Sequence, residues 1–471
     1  MTPLRRIVEL GAAFLCSNLA RAAIGLGLTL AIGRGLGADR FGTWILCTTW
    51  ASTLTTLADL GFGVLLTRDG ARDDAEPARL VTDALTLRLA AAVPLGIALA
   101  IAAGALSSNA EAIAALRIAA IVGVSGAAYG CFGSLFRSQP RWLPALLGVE
   151  TAWLAAQLAA AWWLVHSGRG VAALMTLAAA VQLAQIVTAV AVWGWVFGKN
   201  QNPNENENRN ENENRNENEN PEPRTLNLHL RSHGIFASYG GRAEAPRARR
   251  RAEPRHLHLI LLLRRALPFA ATGIVTNLQL RVAPLMLGTL ATPAELGWFG
   301  AASRVGRAAR LAPQAVLAGA LPVLSREYGA DRSGARRVSH TLDRALTALS
   351  LAGSIAMALL AAPLMRLLFG APFAAAGPAL VWSAIGLAPS VSNASRKIFL
   401  FAAGGEALVF RWTSASLAIQ VIAAAVLIPA FGAAGAAASV ALAEASIWWP
   451  LRLTPEVRSE KFELRTSTSN F

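Results

Sequence analysis

The sequence predicts an all-α, polytopic membrane protein, with about twelve transmembrane helices in two six-helix bundles around a central cavity. Three observations support this. The chain has 471 residues, 54% hydrophobic and 15% charged, with a mean hydropathy of +0.44, whereas soluble domains are nearer a quarter charged. Its charges collect in short segments between apolar runs of roughly 20 residues or more, the length a bilayer demands of a helix. One long polar stretch divides those runs into two sets of about six.

To within a few residues, the runs lie at about 8–33, 41–66, 83–106, 112–136, 142–165 and 171–197. The second set lies at about 267–290, 297–324, 344–369, 376–401, 407–430 and 433–453. All are too long and unbroken for barrel strands. The organisation is therefore an N-terminal bundle over 1–198, a linker over 199–263, a C-terminal bundle over 264–455 and a tail over 456–471. From Asn204 to Asn220 the linker repeats Asn-Glu-Asn-Glu-Asn-Arg. That repeat has no apolar residue to bury against the entropy of ordering, so disorder is expected. Its basic part, Arg242 to Arg255, fits a contact with anionic headgroups or a partner enzyme, and equally a tolerated loop expansion.

Lys and Arg sort by side. One side holds Arg5 and Arg6, Arg68 to Arg79, Arg137 and Arg141, the linker, Arg326 to Arg344, the pair Arg396 and Lys397, and the tail. The other offers Arg34, Arg40 and Arg169. This bias places both termini and the linker in the cytoplasm of a cell membrane and explains the net charge of +15 without a nucleic-acid partner. The basic start, Met1 to Val8, runs into an apolar segment long enough to span, so no cleavable signal peptide is expected. Cys16, Cys47 and Cys131 sit inside apolar runs and read as packing residues.

A faint internal repeat links the halves. Leu36-Gly37-Ala38-Asp39-Arg40-Phe41-Gly42-Thr43-Trp44 follows the first run, and Leu290-Ala291-Thr292-Pro293-Ala294-Glu295-Leu296-Gly297-Trp298 follows the seventh. Each has an acidic turn, an apolar residue with glycine, and an aromatic opening the next helix. Two repeats of matching orientation imply bundles related by an axis along the membrane normal.

These segments resemble the oligosaccharide and polysaccharide flippases, O-antigen flippases among them, of the multidrug/oligosaccharidyl-lipid/polysaccharide exporter superfamily. Similar too are Ala58-Asp59-Leu60-Gly61-Phe62-Gly63 with Leu65, Leu66 and Arg68, and Glu295-Leu296-Gly297-Trp298-Phe299-Gly300-Ala301-Ala302-Ser303-Arg304 with Pro313 and Pro322. So are Ala361-Ala362-Pro363 and Leu367-Leu368-Phe369-Gly370. The resemblance spans nearly all of the chain except the linker. It implies a transporter that moves an undecaprenyl-diphosphate-linked saccharide across the bacterial inner membrane by alternating access, with membrane lipids and possible polysaccharide-assembly enzymes as partners. Many relatives carry an acid in the seventh helix where this chain reads Leu280-Arg281-Val282-Ala283-Pro284, so an acidic coupling site there does not transfer.

Ionisable side chains inside spanning helices usually face a wet cavity. The first helix offers Asn18 and Arg21, the seventh Asn277 and Arg281 at i, i+4. The eighth offers Ser303, Arg307, Arg310 and Gln314, spaced 4, 3 and 4, with Arg304 beside them. Arginine forks bind phosphate oxygens bidentately, so a cavity lined by these residues suits the diphosphate that the resemblance implies. Plainer readings stand beside this one. Arg304, near the outer end of its helix, fits a snorkelling side chain. Arg21 and Asp59 fit a structural ion pair as well as a path lining. Glu150 and Glu444 fit either coupling-proton acceptors or interhelical bonds. Trp44, Trp162, Trp163, Trp298, Trp448 and Trp449 read as interfacial anchors.

No catalytic constellation, metal-ligand spacing or cofactor motif stands out, so no enzyme, metal or cofactor is expected. Two rivals remain. A cation-coupled multidrug exporter of the same superfamily wants an acid in the first or seventh helix. A membrane polymerase or ligase wants catalytic groups on sizeable external loops, and here those loops are short.

Overall fold

A computed structural model describes residues 3–69, 77–138, 143–199 and 255–453. Within those segments, the side chains of residues before 21 and of 64, 67–69, 77–80, 137–138, 143–147, 195–199, 255–270 and 272 are outside the description. Most of the expected linker and the tail beyond 453 fall outside it as well.

The first half comprises α1 (Pro3–Asp59), α2 (Phe62–Asp69), α3 (Pro77–Leu106), α4 (Ala110–Ser138), α5 (Leu143–His166) and α6 (Val171–Lys199). The second comprises α7 (Arg255–Leu290), α8 (Pro293–Ala309), α9 (Leu311–Ala330), α10 (Arg332–Leu359), α11 (Ala361–Phe369), a 3-10 turn (Ala371–Ala376), α12 (Gly377–Ile385), α13 (Leu387–Ala402) and α14 (Glu406–Leu453). No strand occurs among the described residues. Two helices carry two spans each. α1 breaks at Gly37 (φ 73°) and α14 at Gly432 (φ 51°), where the left-handed backbone is open to glycine at little cost. Joined segments make the other composite spans: α8 with α9, α10 with α11, and the 3-10 turn through α13. The result, among the described residues, is six spans per half.

Two boundaries differ from the sequence expectation. α7 begins at Arg255, inside the stretch read as linker to 263, because His256–Leu263 is a leucine-rich run that continues the helix. α10 begins at Arg332, so Arg332, Arg336 and Arg337 are helical rather than in a loop, and Asp331 caps that start by accepting from Ser333 N–H. Arg396 and Lys397, counted with the basic side in the sequence, lie within α13, whose end at Ala402 matches the expected run.

By length and composition, six helices qualify as membrane spans among the described residues, or seven with α8 and α9 counted as one. In their described portions α1, α5 and α7 do not, and each brings a charged side chain to an interhelical contact. Ile101, Trp163, Val187 and Leu359 are exposed. In water such bulk would mark an association surface, and in a bilayer it faces acyl chains.

The halves meet most closely where the repeat motifs lie. A Cβ on Gly42 would overlap the Pro293 carbonyl, and one on Gly297 would overlap the Ala38 carbonyl. The reciprocity is what a two-fold axis between the repeats produces. Beside it, Phe41 packs on Phe369 and Phe373 at centroid distances of 6.0 and 5.7 Å. Arg34 donates to the carbonyls of Leu368 at 2.7 Å and Leu367 at 2.5 Å. This end, where the connections are shortest, is sealed.

Candidate functional site

Span eight is built to aim arginines at the axis between the halves. Thr292 caps it by accepting from Glu295 N–H, and Pro293 occupies its first turn. The span bends by 49° between α8 and α9. Pro313 explains the bend, since it has no N–H for the Ala309 carbonyl and its ring crowds that group. Arg310 sits at the corner, its N–H turned to the Arg307 carbonyl at 3.1 Å.

Beneath the sealed end lies a cavity of about 560 Å³ between the halves. Span two lines it with Thr48, Thr49 and Ser52, α7 with Thr276, Gln279 and Arg281, and α8 with Ser303, Arg304 and Arg307. Arg310 follows, then Ser390, Asn393 and Lys397 from α13 and Glu444 from α14. Five cationic side chains thus share one chamber with a single carboxylate.

Their partners differ. Arg281 donates to the hydroxyls of Ser52 and Thr56, the latter at 3.0 Å. Arg304 donates to the Thr29 hydroxyl at 2.5 Å, with its guanidinium 4.8 Å from the Trp44 ring centroid. Both bridges run from the second half to the first. Arg310 donates to the Ser390 hydroxyl at 3.3 Å. The Nε–H groups of Arg281, Arg304 and Arg310 are buried without an acceptor. Among the described residues, the side chains of Arg307 and Lys397 have neither a hydrogen bond nor an ion pair. The chamber is rich in donors and poor in acceptors, so oxygens brought by an anion would satisfy it.

Arg304 does not snorkel. About 16 Å of helix separates it from Pro293, and it turns inward to the first half. Trp44 is correspondingly buried rather than interfacial. Asn277 donates to the Gly273 carbonyl of its own helix at 2.9 Å and is not in the cavity wall. Gln314, one turn past the bend, is exposed and also outside the wall. The Asn18 side chain lies outside the described residues.

The remaining charges pair differently from the sequence reading. Arg21 bonds Glu150 at 2.5 Å rather than Asp59, and Tyr129 donates to the same carboxylate at 3.2 Å. Asp59 instead pairs with Arg88 of α3, which is 2% exposed and also donates to the Ala127 carbonyl at 3.4 Å. Sequence reasoning passed over Arg88, though an arginine inside an apolar run was the signal. Lys397 was missed because its neighbour Arg396 made the two look like a membrane-edge pair. Breaking a buried ion pair from one side leaves an uncompensated charge. Asp59→Leu is therefore expected to cost about 2–3 kcal/mol, less than a fully enclosed pair because Asp59 is partly exposed. Thermal unfolding in detergent, compared with Asp59→Glu, measures it.

No protein-family profile and no curated protein matches the sequence. Solved structures do resemble it. One is the lipid II flippase MurJ in an inward closed conformation, with a TM-score of 0.67 at 11% identity over 93% of this chain and 86% of that one. Another is a multidrug resistance MATE family transporter of the MOP superfamily in an inward-facing conformation, at 0.57 and 14% identity over 93% and 94%. A third is a mutant form of the Vibrio cholerae MATE transporter VcmN, at 0.56 and 13% identity over 98% and 97%. The chain is a multi-pass membrane protein with the fold of the MOP-superfamily transporters, the multidrug/oligosaccharidyl-lipid/polysaccharide exporters. Both the flippase and the drug exporters share that fold, so the cavity must discriminate between them.

Proposed function

We propose that the chain is a flippase that moves a diphosphate-linked saccharide lipid, of the undecaprenyl type, across a bacterial cytoplasmic membrane by alternating access. The observation that carries this reading is Arg307, a guanidinium with no partner among the described residues. It faces the chamber alongside Arg281, Arg304, Arg310 and Lys397. A charge that deep in a membrane protein is tolerable where water or an anion meets it. A diphosphate is the part of such a lipid that five cations would hold, while the lipid tail stays among acyl chains. A cationic drug would face net repulsion in the same chamber. Both termini are assigned to the cytoplasm on the bias of Lys and Arg between the two sides.

Purified protein in proteoliposomes tests the reading. A fluorescent undecaprenyl-diphosphate saccharide should reach the opposite leaflet several-fold faster than in empty vesicles, and a cationic dye should not be extruded. Dye extrusion without lipid transfer would assign the chain to drug export.

A further inference from the structure

The cavity holds one acid, and that acid opposes the binding of an anion. Asn393 fixes it: its Nδ2 donates to the Glu444 carboxylate Oε2 at 2.8 Å and to the Glu444 backbone carbonyl at 2.8 Å. Asn393 itself is buried. The carboxylate is therefore held at a chosen position in the wall rather than swinging to the nearest cation. Arg310 and Lys397 share the chamber and feel the charge of Glu444, yet neither forms an ion pair with it within 4.0 Å. A structural counter-ion would close that gap. A carboxylate kept open towards a cationic chamber instead lowers the depth of the well in which an anion sits. A transport site needs that property, because a ligand held too firmly does not leave.

We propose that Glu444 is an affinity-limiting residue of the cavity, positioned by Asn393 to repel the bound diphosphate and speed its release. The proposal rests on the anion-cavity reading above. Substrate entering the chamber meets five cations and one fixed negative charge. Removing that charge should deepen the site and slow departure from it, since affinity changes within one site fall mostly on the dissociation rate. The expected signature is a split, with tighter binding and a lower maximal rate from the same substitution.

Calorimetric titration of inorganic diphosphate into the full chain in detergent, together with the proteoliposome transfer rate, tests this. Glu444→Gln should bind diphosphate on the order of tenfold tighter, equal to about 1.4 kcal/mol, and should transfer the saccharide lipid several-fold more slowly at saturation. Glu444→Asp, which keeps the charge on a shorter arm, should bind diphosphate less tightly than Glu444→Gln does. Lys397→Met should weaken binding. Adding Glu444→Gln to Lys397→Met should restore it, a comparison that keeps the net charge of the cavity and serves if the single Glu444→Gln protein does not fold. Unchanged or weaker binding in Glu444→Gln, or in the double variant relative to Lys397→Met, overturns the proposal while leaving the anion cavity standing. Absence of saturable diphosphate binding in the wild type and in every variant overturns the anion cavity itself and this role with it.

Discussion

Gly42→Val is expected to hold the sealed end of the protein open and to stop transport, as is Gly297→Val. At each position the first carbon of a side chain would overlap a backbone carbonyl of the other half, Pro293 for Gly42 and Ala38 for Gly297. Backbone cannot rotate aside as a flexible side chain does, so the halves must separate there. Overpacking of this kind costs about 1–3 kcal/mol even where a core can adjust. An equilibrium between two transporter states shifts roughly tenfold for each 1.4 kcal/mol. The overlap strains the sealed state, so the population is expected to move to a state parted at the short-loop end. A cysteine placed in the cavity wall by Thr49→Cys reports it. A membrane-impermeant maleimide applied from the short-loop side should label it roughly 5- to 100-fold faster when Gly42 is valine. Cys47 and Cys131 are buried, and a Cys16→Ser substitution removes the third thiol, which keeps the background low. Equal labelling would mean that this crossing is not a gate.

Arg307→Gln is expected to lower affinity for the diphosphate lipid roughly 10- to 100-fold, the range of one charge-assisted hydrogen bond worth about 1.5–3 kcal/mol. It should do so while leaving thermal stability within about 0.5 kcal/mol, since this side chain has no partner to lose. Arg281→Gln differs. It removes the bonds to Ser52 and Thr56 across the halves as well as a cation from the chamber. Stability and affinity should fall together. Comparing diphosphate titration with melting temperature for the two variants separates binding from assembly. If Arg307→Gln melts early and binds normally, the free arginine belongs to the fold rather than to the site.

Much of this was written in the sequence in one-dimensional form. The twelve spans follow from the lengths of the apolar runs, and the Gly42 and Gly297 motifs that seal one end are the repeat visible by eye. The spacing of Ser303, Arg307 and Arg310 predicted a polar face on span eight, and those residues line the chamber. The same spacing failed at Gln314, because Pro313 bends the span and turns the next residue off that face. Asn277 and Arg281 share a helical face too, yet only Arg281 is long enough to cross to the other half, while Asn277 settles for its own backbone. Ion pairing was the least legible. Which acid meets Arg21 depends on how α5 packs against α1, and a single chain position carries no record of that. Arg88 and Lys397 escaped notice for a related reason. Each looks incidental until its neighbours from other spans are in place.

The central claim, that the chamber between the halves holds the diphosphate of a saccharide lipid, is tested most directly by photo-cross-linking. A photoreactive undecaprenyl-diphosphate analogue, with its reactive group beside the phosphates, would be incubated with the protein in membranes and the labelled peptides identified by mass spectrometry. Labels within 276–284, 299–310 and 390–397, competed by unlabelled lipid and reduced by Arg307→Gln, are the predicted result. Labels confined to the lipid-facing surface around Ile101, Val187 and Leu359, indifferent to Arg307→Gln, would contradict it.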